Sequence, residues 1–265
     1  MAPRWLRVAA RHHVARRRGW PVHVVSPRRG PDPATTVLYL HGGGYVEGPL
    51  SWHWLLVTRL ARAVPARVVL PMYRLAPHGT ADPTVATAAD LLDDLLSARH
   101  AAGPEQVSGR IVLMGDSAGG GLALAAAQAA RDRGREQPDR IVLISAWLDL
   151  TMTHPDQPAL EPLDRMLRIP GLAEAGRRYA DGLDPADPRA SPLFGDLAGL
   201  AGLTVLCGTH DLLLPDSRRL AARAAAAGVE IDYHEPGPLP HGYPLFPIPE
   251  AAPALVTLAA ACRGH

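Results

Sequence analysis

The chain has 265 residues, 47% of them hydrophobic, a formal net charge of +1 and two cysteines. That is enough apolar material for one large core, and the charge is too balanced to suggest a nucleic-acid partner. With no disulfide framework to build, a reducing cytoplasm is the default expectation. The longest apolar run, "IVLISAWL" at 141–148, is too short to span a bilayer.

In chain order, the first 31 residues hold eight arginines and no acid. "RWLRVAARHHVARRRGW" reads as a basic amphipathic helix packed through Trp5, Leu6 and Val14, with contact to an anionic membrane surface as the alternative. No uninterrupted apolar core follows these arginines, so the segment does not read as a secretory signal.

Short β-branched runs then alternate with alanine- and leucine-rich ones. Predicted strands cover 22–26, 35–40, 66–73, 110–115, 140–147, 203–208 and 229–235. Predicted helices lie at about 51–64, 83–102, 118–133, 215–227 and 249–262. From residue 66 onward the strands are continuous apolar runs, as in a parallel sheet buried on both faces. The repeated strand–helix order predicts a doubly wound, mostly parallel α/β sheet. Residues 148–200 break the rhythm with many prolines and acids, which suits a lid over a crevice at the carboxyl edge of the sheet.

The sharpest local signal is "GDSAGGG" at 115–121. Glycine is costly in strands and helices, so glycines crowding one serine need a reason. One reading is a strained strand-to-helix turn that exposes Ser117 as a nucleophile; the other is a serine that merely caps the helix. Context favours the nucleophile. "LYLHGGGY" places Gly42, Gly43 and Gly44 after a predicted strand, freeing backbone N–H groups to face a developing oxyanion, and Ala118 opens the helix whose N-terminus points at the same place. For the acid, Asp211 in "GTHDLLLPD" follows a strand, with Asp216 as a rival better placed to cap the next helix. For the base, His241 in "GPLPHGYP" sits on a mobile-looking loop beyond the last strand, against His210 and His234. Ser117, Asp211 and His241 have the chain order of a nucleophile-elbow triad. Tyr45, Trp52, Trp54 and Trp147 lie near these motifs. Tyr45 and Trp147 are taken as walls of a substrate crevice, whereas Trp52 and Trp54 read equally as core.

Together "HGGGY", "YRLAP", "GDSAGGG", "GTHDLLLPD" and "PHGYP" resemble the hormone-sensitive-lipase-like esterases of the α/β-hydrolase superfamily, and "SAWLDLT" and "DPADPRASPL" are similar to segments of bacterial members. The resemblance covers residues 35–245. It implies an α/β-hydrolase fold in a single domain over 1–265, with a reduced helical cap from about 1–34 and 150–195. It also implies a serine carboxylesterase for short to medium acyl esters, with Ser117 as nucleophile, His241 as base and acid, Asp211 orienting it, and an oxyanion hole from two of Gly42, Gly43 and Gly44 with Ala118. His41 would hold the glycine loop by hydrogen bonds. No metal or organic cofactor is called for, and the partner is a small-molecule ester, with no nucleic acid, no integral membrane segment and a homodimer as an open expectation. An amide, lactone or sugar-acetyl hydrolase and a non-catalytic ligand-binding protein are the alternatives. Two departures stand out: "YRLAPHG" carries His78 where an acid is usual, and "DRML" stands where "DPML" is commoner, so a looser lid segment is expected at residue 164.

Overall fold

The structure is a computed structural model describing residues 2–29, 33–101 and 109–264. Eight strands form one sheet: β1 (Arg11–Arg17), β2 (Trp20–Ser26), β3 (Thr35–Leu40), β4 (Ala66–Pro71), β5 (Arg110–Asp116), β6 (Arg140–Ile144), β7 (Leu203–Leu206) and β8 (Ile231–His234). Their spatial order is β1-β2-β4-β3-β5-β6-β7-β8. β1 and β2 pair antiparallel to each other and β2 antiparallel to β4; every pair from β4 to β8 is parallel.

Among the described residues eight helices accompany the sheet: α1 (Leu6–Ala9), α2 (Ser51–Ala63), α3 (Ala81–His100), α4 (Ala118–Asp132), α5 (Gln157–Leu160), α6 (Ile169–Ala180), α7 (Leu214–Ala226) and α8 (Ala251–Arg263). The central strands β3, β5 and β6 are apolar along nearly their whole length because both faces are covered. On one face Leu38, Leu113 and Leu143 pack with side chains of α3, α4 and α7. On the other, Val37, Val112 and Val142 pack with α2 and α8. Alternate residues of each strand thus feed two separate cores. None of the helices among the described residues is long and apolar enough to cross a membrane.

The N-terminal segment departs from the helical expectation. Only Leu6–Ala9 is helical; Arg11–Arg17 forms an edge strand hydrogen-bonded to Trp20–Ser26. The cause is local. Arg18 and Gly19 both adopt positive φ, 49° and 81°, the geometry of a two-residue hairpin turn whose twist matches the flanking strands. The arginines therefore line a sheet edge rather than a helix face, and the amphipathic membrane-surface helix is not formed.

The insertion after β6 folds as α5 and α6 with a short 3₁₀ turn at Pro192–Phe194. It is packed against the core: Leu172, Ala175 and Tyr179 are buried with the α3 and α4 side chains. The Tyr179 ring stacks on Tyr45 with centroids 3.6 Å apart.

Candidate active site

Parallel register brings the carboxyl ends of four strands to one rim. Leu40 of β3 is level with Gly115 of β5, Asp116 with Ile144 of β6, and Ile144 with Leu206 of β7. The glycine loop, Ser117, Ser145 and the Asp211 loop all leave the sheet there.

Ser117 joins β5 to α4 with φ 51° and ψ −124°, a conformation that costs a non-glycine residue energy and persists only where its surroundings hold it. The surroundings do so from two sides. The Ser117 N–H donates to the Ile144 carbonyl at 2.9 Å, and its carbonyl accepts from the Trp147 N–H at 2.9 Å. A sharp turn needs close packing beneath it: a Cβ on Gly119 would lie 2.1 Å from the Leu40 carbonyl oxygen. Ser117 does not cap α4, since its side chain makes no capping bond.

His241 and Asp211 meet. His241 Nδ1 lies 3.1 Å from both carboxylate oxygens of Asp211, and Asp211 is fully buried. Asp211 is further fixed by the Leu213 N–H, which donates to Oδ1 at 2.9 Å. Burial alone would lower the His241 pKa and raise that of Asp211; their charges and shared hydrogen bond outweigh it, so the imidazole titrates above its ordinary value and the carboxyl below. With Nδ1 committed to Asp211, Nε2 is left for a hydroxyl partner. The rivals are engaged elsewhere. Asp216 pairs with Arg219 at 3.0 Å and accepts from Gln157, and burial beside Asp149 pushes its pKa up to about 6. His234 Nε2 lies 2.8 Å from Asp232 on its own strand.

Ser145 is a residue the sequence did not single out. Its backbone is also at positive φ, 48°, and its buried hydroxyl accepts the Gly242 N–H at 2.9 Å. Residues 144–147 therefore hold the serine turn on one side and the histidine loop on the other. Asp164 was missed too. It is fully buried and accepts N–H groups from Leu212, Met166 and Leu167 at 2.8–3.0 Å. It tethers the insertion to the Asp211 loop, so "DRML" is anchored rather than loosened. Asp164, Asp211 and His241 lie close enough to share a cation, but Asp164 already spends both oxygens on backbone donors and Asp211 both on His241.

The glycine loop is braced from beneath. Gly42 N–H donates to Asp116 Oδ1 at 3.0 Å, and a Cβ on Gly42 would come within 3.0 Å of Ser117 Cβ. The Gly43 carbonyl accepts from Val46 and Glu47 at 3.0 and 2.9 Å, closing the loop into a turn. Among the described residues the N–H groups of Gly43, Gly44 and Ala118 donate to no protein acceptor. Of the three candidate glycines, Gly42 is thus already occupied. His41 acts as expected: its Nδ1 bonds the Gly42 carbonyl at 2.7 Å, its ring stacks on Tyr73, and burial lowers its pKa to about 4, keeping it neutral. In the "YRLAPHG" segment backbone bonds supply the brace, Ala76 N–H to the Tyr45 carbonyl and Gly79 N–H to the Leu75 carbonyl, both 2.8 Å. His78 is exposed.

Tyr45 and Trp147 take a different place from the one expected. They are 1% and 0% exposed and lie in the core, their rings tilted by 32° with centroids 5.7 Å apart, rather than lining an open wall. Trp54 is likewise core. Trp52 is 41% exposed, and the apolar side chains of Val46 and Leu50 after the glycine loop and of Leu163 and Met166 around Asp164 are exposed too. Large apolar groups left in water on the two segments flanking the site are a signal that sequence periodicity does not carry.

Residues 37–245 match the family model described as alpha/beta hydrolase fold. The chain is 32% identical over 226 residues to an esterase of Acinetobacter venetianus, covering 84% of this chain and 73% of that protein. It is 32% identical over 248 residues to the carboxylesterase NlhH of Mycobacterium tuberculosis, covering 88% and 75%. Among solved structures, an esterase from the bacterial hormone-sensitive lipase family superposes with a TM-score of 0.88 at 33% identity, over 97% of this chain and 84% of that one.

Proposed function

This chain belongs to the alpha/beta hydrolase fold family, and on that footing we propose that it is a serine carboxylesterase acting through Ser117, His241 and Asp211. The observation that carries the reading is the buried Asp211–His241 hydrogen bond at the rim from which the strained Ser117 turn also projects. His241 Nε2 takes the hydroxyl proton as Ser117 Oγ attacks the ester carbonyl, and Asp211 holds the tautomer and stabilises the imidazolium. The oxyanion is received by the free N–H groups of Gly43, Gly44 and Ala118, the last strengthened by the N-terminal end of α4. His241 then gives its proton to the leaving alcohol, and water repeats the sequence on the acyl-enzyme.

Gly42 has a different part: its N–H is spent on Asp116, so it positions the loop instead of touching the oxyanion. The exposed apolar side chains of Val46 and Leu50, on the segment after the glycine loop, and of Leu163 and Met166, next to Asp164, support short to medium acyl chains as the substrate class. Cys207 and Cys262 are buried and free, which fits a reducing compartment such as the cytoplasm.

The test is Ser117→Ala. Turnover of p-nitrophenyl acetate and butyrate should fall to background with the circular dichroism spectrum unchanged, and the wild type should be labelled stoichiometrically by an organophosphate that the variant does not take up. Near-wild-type turnover by the variant would end the assignment.

A further inference from the structure

A concavity that includes none of Ser117, Asp211 and His241 in its lining lies over the face of the N-terminal hairpin. It encloses about 480 Å³ between β1, β2 and β4 on one side and α3 on the other, a size ordinary for small-ligand sites. The helical reading of the first residues hid it, because the groove is lined by the two strands that the hairpin adds to the sheet, together with α3.

Register orders the chemistry along this groove. Arg11 is opposite Ser26, His13 opposite Val24 and Ala15 opposite Val22. Val24 is opposite Val69, and Val69 is level with Leu38, while Arg67 is level with Thr36 one row further along. One end of the groove is therefore cationic, with Arg11 and Arg67 beside Ser26; the middle rows set His13 and Ala15 beside an apolar floor of Val22, Val24, Val69 and Leu38, and Arg17 lies at the far end. The helix contributes Leu91, Leu95 and Ala98 along the opposite wall. Its one acid in the lining, Asp94, is already paired to Arg18 through Nε and a second guanidinium nitrogen.

Arg67 is the informative residue. It is half-buried in β4 and, among the described residues, makes no hydrogen bond and no ion pair. A guanidinium has five donors, and one standing at the groove surface with no protein acceptor is available to an anion. Arg11 stands at the same end, its Nε anchored on the Pro27 carbonyl at 2.9 Å. Two arginines over an apolar trough complement one kind of molecule: a planar anion, which arginine binds bidentately, carrying an unbranched alkyl tail.

We propose that this groove binds a medium-chain carboxylate, with its head between Arg11 and Arg67 and its tail along Val24, Val69 and Leu95. The site is separate from Ser117, and the inference does not rest on the esterase reading. The ligand class is nonetheless the one that ester cleavage releases, which would make the groove a place where product is held or sensed.

Calorimetric titration of the full chain with octanoate tests it, against butyrate, which keeps the head and lacks the tail, and octan-1-ol, which keeps the tail and lacks the charge. Octanoate should bind at least about tenfold tighter than either control. Arg67→Ala should weaken it by about tenfold or more, the loss expected for a charge-assisted pair. Arg11→Ala, at an exposed strand edge, should do the same and serves if Arg67→Ala folds poorly. p-Nitrophenyl acetate turnover, and its inhibition by octanoate at the serine, should be unchanged in both variants, which separates this site from the crevice. Equal stoichiometry and affinity in wild type and both variants would overturn the proposal. So would sedimentation showing a dimer that Arg67→Ala dissociates while no carboxylate binds, since a second copy would then be the occupant.

Discussion

His53 Nε2 lies 3.2 Å from Asp116 Oδ2 in a pair almost entirely shielded from water. The other oxygen of that carboxylate accepts the Gly42 N–H and the Tyr39 hydroxyl, and His53 Nδ1 accepts the Leu50 N–H at 2.9 Å. The residue just before the serine thus ties the glycine loop, β3 and the start of α2 into one unit, and it does so through a charge that burial would otherwise disfavour.

Asp116→Ala should therefore act on geometry rather than on substrate binding. It leaves Gly42, Tyr39 and His53 without their acceptor, so the unfolding free energy should drop by roughly 3–5 kcal/mol, as when a buried pair loses one member. If the protein folds, kcat should fall by about 10–10²-fold with KM changed little, because the displaced donors serve the transition state. Steady-state kinetics with thermal unfolding checks this, and unchanged kcat would mean the loop stands without the carboxylate.

The acid limb of kcat/KM should lie above pH 6.5. Burial favours neutral His241, yet the Asp211 charge and hydrogen bond more than offset it, and Asp164 and Asp116 add to the same direction. The reaction needs the neutral base, so activity is lost as pH falls through the raised value. Asp211→Asn should move that limb down and cut kcat by roughly 10³-fold or more, since the tautomer is no longer held. Asp164→Asn should move it down by less while most activity survives. A limb that stays in place in both variants would exclude these carboxylates as its cause.

Stability should depend on pH in two windows. Asp116 and Asp211 titrate below their ordinary 3.8 in the fold, so their contribution is present above that value and is lost as pH falls through the lowered ones. His53 and His241 titrate above 6.5, so theirs is complete below 6.5 and declines as pH rises through the raised values. The melting temperature should accordingly peak between these windows and collapse in strong acid. Asp116→Asn should flatten both limbs, which scanning calorimetry across pH would detect.

Two glycine substitutions should differ in sign. Gly119→Ala puts a methyl 2.1 Å from the Leu40 carbonyl and 2.5 Å from that of His41, both backbone, so it should cost about 3 kcal/mol or more, or prevent folding. Gly171→Ala, in the first turn of α6 with nothing within 4 Å of the new carbon, should add about 0.5–1 kcal/mol by removing unfolded-state freedom. Chemical denaturation of the two variants compares them directly.

Most of the scaffold was readable because its signals are local. Runs such as "RIVLMG" read as strands with both faces covered, and the five helices that were expected fall within a few residues of their bounds, but the strand expected over 140–147 stops at Ile144, because Ser145 turns to positive φ. The N-terminal hairpin was not readable in the same way. The strand at 22–26 was expected, but "RHHVARR" before it carries charge on both faces of either element, and only pairing with β2 decides between them. Tyr45 and Trp147 were misplaced for a related reason: position next to a motif does not say which side of a loop an aromatic ring takes, and here Tyr45 turns inward to stack on Tyr179 and lies tilted against buried Trp147.

The order Ser117, Asp211, His241 and the glycine run were determined by the amino-acid sequence alone, because each lies on a strand end or loop whose type its own neighbours dictate. Which glycine N–H groups stay free, how Ser145 and Asp164 clamp the histidine and aspartate loops, and where Arg67 is stranded were decided only by the tertiary structure. These are relationships between segments up to about a hundred residues apart, and a hydrogen bond belongs to whichever group the packed sheet brings within reach of it.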